Sequence, residues 1–350
     1  MAEAATDPRR ERRAVWASAL CAAFYVPLVF GFFGWLHHSL DLFAHFRWHL
    51  VVLLALAGLF ALASRAWSIG VVSLAMAAAA LATTQGIAGV PFSGPARAPF
   101  RAADGTGAVY RLLQLNLRYD NPTPEEVLSL IGRTSPDIVT LAEVSPMWAT
   151  KLKLIKAAYP DQLICASDIG IGGGAILSSR PMSGERCFDR GTFATAAVNL
   201  NGRQVHAVAL HLGWPWPSDQ WWQIRNLAAP MAMIRSPALV AGDFNAVSWS
   251  AAVTDMAQAG GLDIVDPIGA SWFYRKAPEW LRPWLGLEID HVMVKGGIIV
   301  HSARILEDVG SDHAPVLVEF SLPPQSEPEQ TVRTVAVPAG KVVASRYPHP

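Results

Sequence analysis

Residues 240–246 read Val-Ala-Gly-Asp-Phe-Asn-Ala, a short apolar run that meets Gly242 and then presents Asp243 and Asn245 just past a strand end. A carboxylate and a carboxamide two residues apart can face one cleft, the first handling a proton or a metal and the second donating to an anion. That pairing suits phosphoester chemistry. Taken alone it is also ordinary turn chemistry, and what separates the two is which other polar residues occupy equivalent places in the chain.

Such residues need strands to deliver them, and the surrounding sequence alternates. Strands are expected at 109–116, 138–142, 162–166, 174–178, 194–200, 204–211, 238–241, 289–294, 298–306 and 314–320. Helices are expected at 124–133, where Thr123-Pro124-Glu125-Glu126 has capping-box spacing, and near 146–158, 218–233 and 248–259. Asn201-Gly202 marks a hairpin. On this map Asn116, Glu143, His211, Asp243 and Asn245 follow strand ends, while Asp290 and the Asp312-His313 pair open later strands. Polar groups collected at strand ends beside apolar strands are what a cleft at one sheet edge requires.

The ordered set Gln114-Leu115-Asn116, Leu141-Ala142-Glu143-Val144, Gly173-Gly174-Ala175-Ile176-Leu177-Ser178, Ala209-Leu210-His211, Gly242-Asp243-Phe244-Asn245-Ala246, Ile289-Asp290-His291 and Ser311-Asp312-His313-Ala314-Pro315-Val316 resembles the endonuclease/exonuclease/phosphatase superfamily, as a membrane-anchored, bacterial-type member. That superfamily includes deoxyribonuclease I, apurinic endonucleases, neutral sphingomyelinases and inositol polyphosphate 5-phosphatases. The resemblance covers residues 109–320 and implies an α/β fold, a four-layer α/β/β/α sandwich of two packed β-sheets.

It also implies roles. Phosphodiesters are anionic and repel hydroxide, so a divalent cation at a non-bridging oxygen lowers the barrier. Glu143 is expected as principal metal ligand with Asn116 beside it, an oxygen set that suits Mg²⁺ or Mn²⁺ rather than zinc. Asp312 is placed to bind a second metal or the incoming water. Asp243 is the candidate general base, Asn245 a donor to the phosphoryl oxygen, and Asp290 the residue that orients His313 at the scissile phosphate. His211 is expected to protonate the leaving oxygen or hold the phosphate. Deoxyribonuclease-type members pair that histidine with a further carboxylate, for which Asp168 is the nearby candidate. His206, His291 and His301 are read as structural or surface residues. The glycines at 170 and 172–174 are not followed by Gly-Lys-Ser/Thr, so they form a turn rather than a phosphate loop.

The front of the chain is of another kind. Of 350 residues 52% are hydrophobic and 16% charged, and the excess lies in uncharged runs at 15–36, 48–63 and 67–90, lengths near the roughly 20 residues that cross a bilayer. Three transmembrane helices are expected, the second completed by 43–46 or by a snorkelling Arg47. Arg9, Arg10, Arg12, Arg13 and Arg65 favour a cytoplasmic N-terminus, and three crossings then put everything after Val90 on the periplasmic or outer side. The resulting organisation is a basic tail at 1–14, a membrane region at 15–90, a linker at 91–108, a catalytic domain at 109–321 and a disordered tail at 322–350. Cys165 and Cys187 are the pair available for an extracytoplasmic disulfide; sequence leaves open whether they meet.

Substrate is read from charge and aromatics. Residues 101–320 carry 18 Lys and Arg against 22 Asp and Glu, without the basic face that tight nucleic-acid binding uses. Trp214 and Trp216 follow His211 closely, suited to stacking a base or resting at a membrane interface. The leading reading is a membrane-anchored, divalent-metal-dependent phosphodiesterase or endonuclease-type enzyme, the alternative a phospholipid or sphingolipid phosphodiesterase, so the expected partner is a phosphodiester, either nucleic acid or a lipid headgroup; a catalytically silent membrane-bound binding module is the third reading.

Overall fold

A computed structural model describes residues 8–323 of the chain, apart from 88, 106, 169 and 266. Twelve strands are described: β1 (Tyr110–Asn116), β2 (Ile138–Val144), β3 (Asp161–Ile164), β4 (Gly173–Ser178), β5 (Met182–Phe188), β6 (Phe193–Leu200), β7 (Arg203–His211), β8 (Ala238–Asp243), β9 (Asp263–Val265), β10 (Asp290–Lys295), β11 (Ile299–Ile305) and β12 (Val316–Ser321). They form two six-stranded sheets, ordered β11-β12-β1-β2-β4-β3 and β5-β6-β7-β8-β10-β9. Each sheet has a parallel pair at its centre, β1 with β2 and β7 with β8, flanked by antiparallel neighbours.

Strand alternation explains how one core gives way to one site. On β1 the inward row is Leu112, Gln114 and Asn116, on β7 Ala207, Ala209 and His211, and on β8 Leu239, Ala241 and Asp243. Each row begins apolar, in the core shared by the two sheets with Ile176, Ala194, Val198, Val292 and Val316, and ends polar at the same edge. The outward rows are apolar where the helices cover them. Leu113, Leu115, Val139 and Leu141 pack under helices α5 (Pro124–Thr134) and α6 (Pro146–Leu152). Val208, Leu210 and Val240 pack under α7 (Gln220–Ala232) and α8 (Ala251–Gly260). The four-layer sandwich expected from the resemblance is the observed architecture.

Local differences from expectation have physical causes. Thr123 does not cap α5 with its side chain, because its Oγ1 lies against Asn121 Oδ1 and the carbonyl of Val309. Helix α6 stops at Leu152 and tightens into a 3₁₀ turn at Lys153–Ile155. Strand β5, exposed and without apolar alternation, is defined by its pairing with β6. A Cys165–Cys187 disulfide, Cα–Cα 5.7 Å, joins the end of β3 in one sheet to β5 in the other.

The N-terminal region contains α1 (Pro8–Phe30), α2 (His38–Asp41), α3 (Arg47–Ala63) and α4 (Trp67–Thr84), with a 3₁₀ turn at Leu42–Phe46. Three helical stretches, Pro8–Phe30, His38–Ala63 and Trp67–Thr84, are long and apolar enough to cross a membrane. The second reaches that length by continuing through residues 38–46. Arg47 does not snorkel: it is buried, with its guanidinium donating to the carbonyls of Gly31 and Phe92 and to Thr83 Oγ1. Further on, residues 96–101 run along both sheets, where Ala98 and Ile264 exchange backbone bonds with Ile264 and Ala96, and Arg101 N–H donates to Val300. The expected tail lies, from residue 324 on, outside the described residues. A short ninth helix, α9 (Arg282–Leu285), sits in the long connection between β9 and β10.

Candidate active site

The polar ends of the inward rows meet. Asp243 and Asp290 are direct register partners across β8 and β10, and both are buried with His313 beside them. His313 Nδ1 lies 2.7 Å from Asp290 Oδ2, and its Nε2 lies 3.6 Å from Asp243 Oδ2. His211 Nε2, from the adjacent strand β7, is also 3.6 Å from Asp243 Oδ2. Asn116 Nδ2 donates 3.0 Å bonds to both Asp243 Oδ2 and Glu143 Oε1, and so bridges the two sheets.

Each of these side chains is held by a local device. Glu143 sits in left-handed backbone, φ 58°, at the irregularity where β2 loses register with β4 between Leu141 and Val144. A non-glycine residue there is strained by about 1–3 kcal/mol. The bulge turns Glu143 out of the outward row, and its Oε2 accepts the Tyr119 N–H at 2.9 Å. Asn245 is likewise left-handed, φ 47°, with its N–H donating to Asp243 Oδ1 at 2.8 Å and its Nδ2 to the Leu212 carbonyl at 2.8 Å. Asp290 accepts from Gln114 Nε2 at 2.9 Å, and its own N–H donates to Ser271 Oγ at 3.0 Å. Ser311 Oγ donates to the Asn116 carbonyl and accepts the His313 N–H, locking the last motif onto the first.

The electrostatics separate the three buried groups. Burial pushes the Asp243 carboxyl from 3.8 up to about 6, with the nearby Asp290 charge adding to it, against the pull of His313, His211 and the bond from Asn116. Burial also acts to raise Asp290, but the His313 charge and hydrogen bonds from His313, Ser271 and Gln114 outweigh it and hold that carboxyl below 3.8. For His313 burial opposes charge, yet the charges of Asp290 and Asp243, the bond to Asp290 and the charge of Asp312 carry it from 6.5 up to about 10. The site at neutral pH therefore contains an imidazolium, a firmly ionised carboxylate and a carboxylate poised to take a proton.

Of the eight site residues expected from the sequence, the structure brings seven into this constellation: Asn116, Glu143, His211, Asp243, Asn245, Asp290 and His313. The Asp312 carboxylate makes no hydrogen bond or ion pair among the described residues. It lines a cavity of about 170 Å³ with His313, Phe273, Arg275 and Arg282. Asp168 does not meet His211; it is exposed and paired with Arg190 Nε at 2.9 Å. His291 is structural, its Nε2 2.7 Å from the Ala246 carbonyl behind the Asp243 loop. Gln114, Ser271 and Ser311 are positioning residues that sequence reasoning passed over. Gln114 had a usable signal, since it precedes Asn116 by two and so shares its row; Ser271 had none.

A cation fits this edge. Asp243, Asp290 and His313 offer ligand atoms all within 4.8 Å of one another, but Asp290 and His313 are committed to each other. Glu143 and Asp243 converge on the Asn116 amide with no lysine or arginine paired to either among the described residues. Carboxylate oxygens of Glu143 and Asp243 gathered on either side of the Asn116 carboxamide are the kind of hard oxygen donors that a divalent ion such as Mg²⁺ takes.

The sequence profile of the Endonuclease/Exonuclease/phosphatase family matches residues 113–313. The chain belongs to this family. Its members are divalent-metal-dependent phosphoester hydrolases, and residues 113–313 include every motif residue just described. Among curated proteins, UPF0294 protein VV2535 of Vibrio vulnificus (strain YJ016) is 34% identical over 131 residues, 35% of this chain and 42% of that protein. The chain thus spans less than half the length of the curated relatives it matches. Among solved structures, the endonuclease/exonuclease/phosphatase from Bacteroides vulgatus aligns with a TM-score of 0.52 at 19% identity, over 62% of this chain and all of that one. D. rerio TDP2 complexed with a single-strand DNA product aligns at 0.50 and 17%, over 61% and 99%. These structural likenesses speak to the fold shared across the endonuclease/exonuclease/phosphatase family.

Proposed function

We propose that the chain is a membrane-tethered, divalent-metal-dependent phosphodiesterase that attacks phosphate with an activated water. The observation that carries this reading is the buried convergence of Asp243, Asp290 and His313, three groups with three different proton affinities at one sheet edge. Asp243, raised to about 6, takes the proton of the attacking water as its oxygen bonds to phosphorus. His313, protonated and oriented by Asp290, donates from Nε2 to a phosphoryl oxygen as charge develops. Asn245 holds one N–H on Leu212 and a long 3.4 Å contact to Asp243 Oδ2, which it can exchange for a phosphoryl oxygen. His211 holds the phosphate or gives a proton to the leaving oxygen.

Glu143 is the principal metal ligand in this reading. Asn116 joins it by presenting Oδ1, which now accepts the Arg118 N–H, and Asp312 is left for a second ion or the incoming water. A bound Mg²⁺ or Mn²⁺ supplies neutralisation of a non-bridging phosphate oxygen.

For substrate, a lipid headgroup is favoured over nucleic acid by one feature. Residues 272–287 wall the site, with Phe273 N–H donating to the Asp312 carbonyl, and reach the membrane region, where His49 Nε2 lies 2.9 Å from the Trp284 carbonyl. His49 is the third residue of α3, inside the candidate span His38–Ala63, so this wall touches a candidate span directly. Trp280 and Trp284 on it are 74% and 67% exposed, as interfacial aromatics are. The arginines near the start of α1 and the Cys165–Cys187 disulfide support an active site outside the cytoplasm.

The test is hydrolysis by the full chain in detergent or nanodiscs of bis-p-nitrophenyl phosphate, plasmid DNA, sphingomyelin and a glycerophospholipid, with and without EDTA. EDTA-sensitive cleavage of the diester and of a lipid supports the reading. Cleavage of DNA with lipids untouched replaces the lipid assignment, and EDTA-resistant turnover overturns the metal assignment.

A further inference from the structure

The catalytic loop after β8 is held from two directions, and one of them is the membrane region. Asn245 sits in left-handed backbone at φ 47°, a conformation that surrounding contacts must maintain. Its carbonyl faces His45 Nε2 at 3.1 Å and Gln220 Nε2 at 3.4 Å. Gln220, on α7, belongs to the sandwich. His45 lies 200 residues away in sequence, in the 3₁₀ turn that leads into α3. It is 5% exposed, and its Nδ1 lies 3.0 Å from the Asp41 carbonyl; both ring nitrogens face acceptors, so the tautomer that serves Asn245 carries its proton on Nε2.

Two neighbours of His45 grip the same loop further on. The Ala44 carbonyl accepts from Trp249 Nε1 at 2.9 Å. The Asp41 carboxylate accepts the N–H groups of Ala251 and Ala252 at 2.8 and 3.1 Å, at the positive end of α8. Arg47, two residues beyond His45, ties this turn to Gly31 after α1 and to Thr83 on α4. The loop that carries Asp243 and Asn245 is thus referenced to the membrane helices as well as to its own sheet.

We propose that His45 is a positioning residue of the active site: by holding the Asn245 carbonyl it fixes the angle at which Asn245 and Asp243 meet the phosphate, so the membrane region completes the catalytic machinery. The inference rests on the reading of Asp243 and Asn245 as catalytic. A misplacement of about 1 Å can cost about a hundredfold in rate, and one lost bond at a strained carbonyl is the kind of change that produces it.

The experiment uses the full chain with His45→Phe, which keeps ring volume and loses the donor, and His45→Gln, which restores one N–H. Expected for His45→Phe is a fall in kcat of about tenfold to a hundredfold on a small soluble diester with KM little changed; His45→Gln recovers most of it. In parallel, amide hydrogen exchange across residues 243–250 should quicken in His45→Phe and stay near wild type in His45→Gln, a readout that needs no substrate. Wild-type kcat and unchanged exchange in His45→Phe overturn the proposal, as does equal loss in both variants. An inactive wild type removes the phosphodiesterase reading, while the exchange experiment still decides whether His45 holds the loop.

Discussion

The Asp243 side of the site and the Asp290 side begin alike and end opposed. Both aspartates lie on neighbouring strands, in register with each other, and both are buried. Asp290 receives the Gln114 amide and is 2.7 Å from His313 Nδ1, so its charge is fully answered. Asp243 receives the Asn116 amide and the Asn245 N–H, but its two histidines stand off at 3.6 Å. One carboxyl falls below 3.8 and the other rises to about 6. Burial alone assigns no role to a carboxylate; the donors that surround it do.

The largest effect should come from removing the poised side. Asp243→Asn is expected to lower turnover about 10³–10⁴-fold, the upper range of general-base catalysis. It should not destabilise the protein at pH 8. A carboxyl raised in the folded state contributes stability below 3.8 that is lost as pH climbs through about 6, so neutralising it removes a cost above that pH. A lowered melting temperature at pH 8 would show that the buried Asp243 charge carries no such cost.

Disarming the answered side should cost less. Asp290→Asn removes the partner that raises His313, with an expected loss of about tenfold to a hundredfold. It should also move the alkaline limb of the pH–rate profile down from about 10 toward the ordinary 6.5 of His313. In the wild type kcat/KM should rise through an acid limb at or below about 6, because a bound cation favours ionised Asp243, and fall near about 10. Stability carries a related sign. The raised His313 contributes stability that is full below 6.5 and lost as pH rises through about 10, so the melting temperature should decline on that side and decline less in His313→Ala. The smallest effect belongs to Asp168→Ala, an exposed pair with Arg190 away from the site, which should leave kcat/KM within about twofold.

Much of this was legible in the sequence because strand parity is simple. Once β1 and β8 are read as strands, Asn116 and Asp243 must end their inward rows, and the glycine and turn signals after β8 mark the edge. Glu143 was found through its motif, yet its place depends on a bulge that no local propensity announces. Asp168 failed because sequence proximity to the motifs could not show that Arg190 would claim it. Strand β5 was missed for want of any apolar alternation, and Ser271 because a serine in a long connection resembles every other. The contact of His45 with Asn245 joins residues 200 apart and depends on how the N-terminal helices dock, which periodicity within either region does not encode.

The proposed function requires that this sheet edge hydrolyse phosphodiesters with Asp243 as base and a divalent ion at Glu143. The most direct measurement titrates Mg²⁺ into EDTA-stripped full-length protein and follows hydrolysis of bis-p-nitrophenyl phosphate for wild type, Asp243→Asn and Glu143→Gln. Expected are saturable, Mg²⁺-dependent turnover in the wild type, a saturating rate near background in Asp243→Asn, and a curve shifted to higher Mg²⁺ in Glu143→Gln. Wild-type turnover in a folded Asp243→Asn, or a Mg²⁺ requirement unchanged in Glu143→Gln, would contradict it.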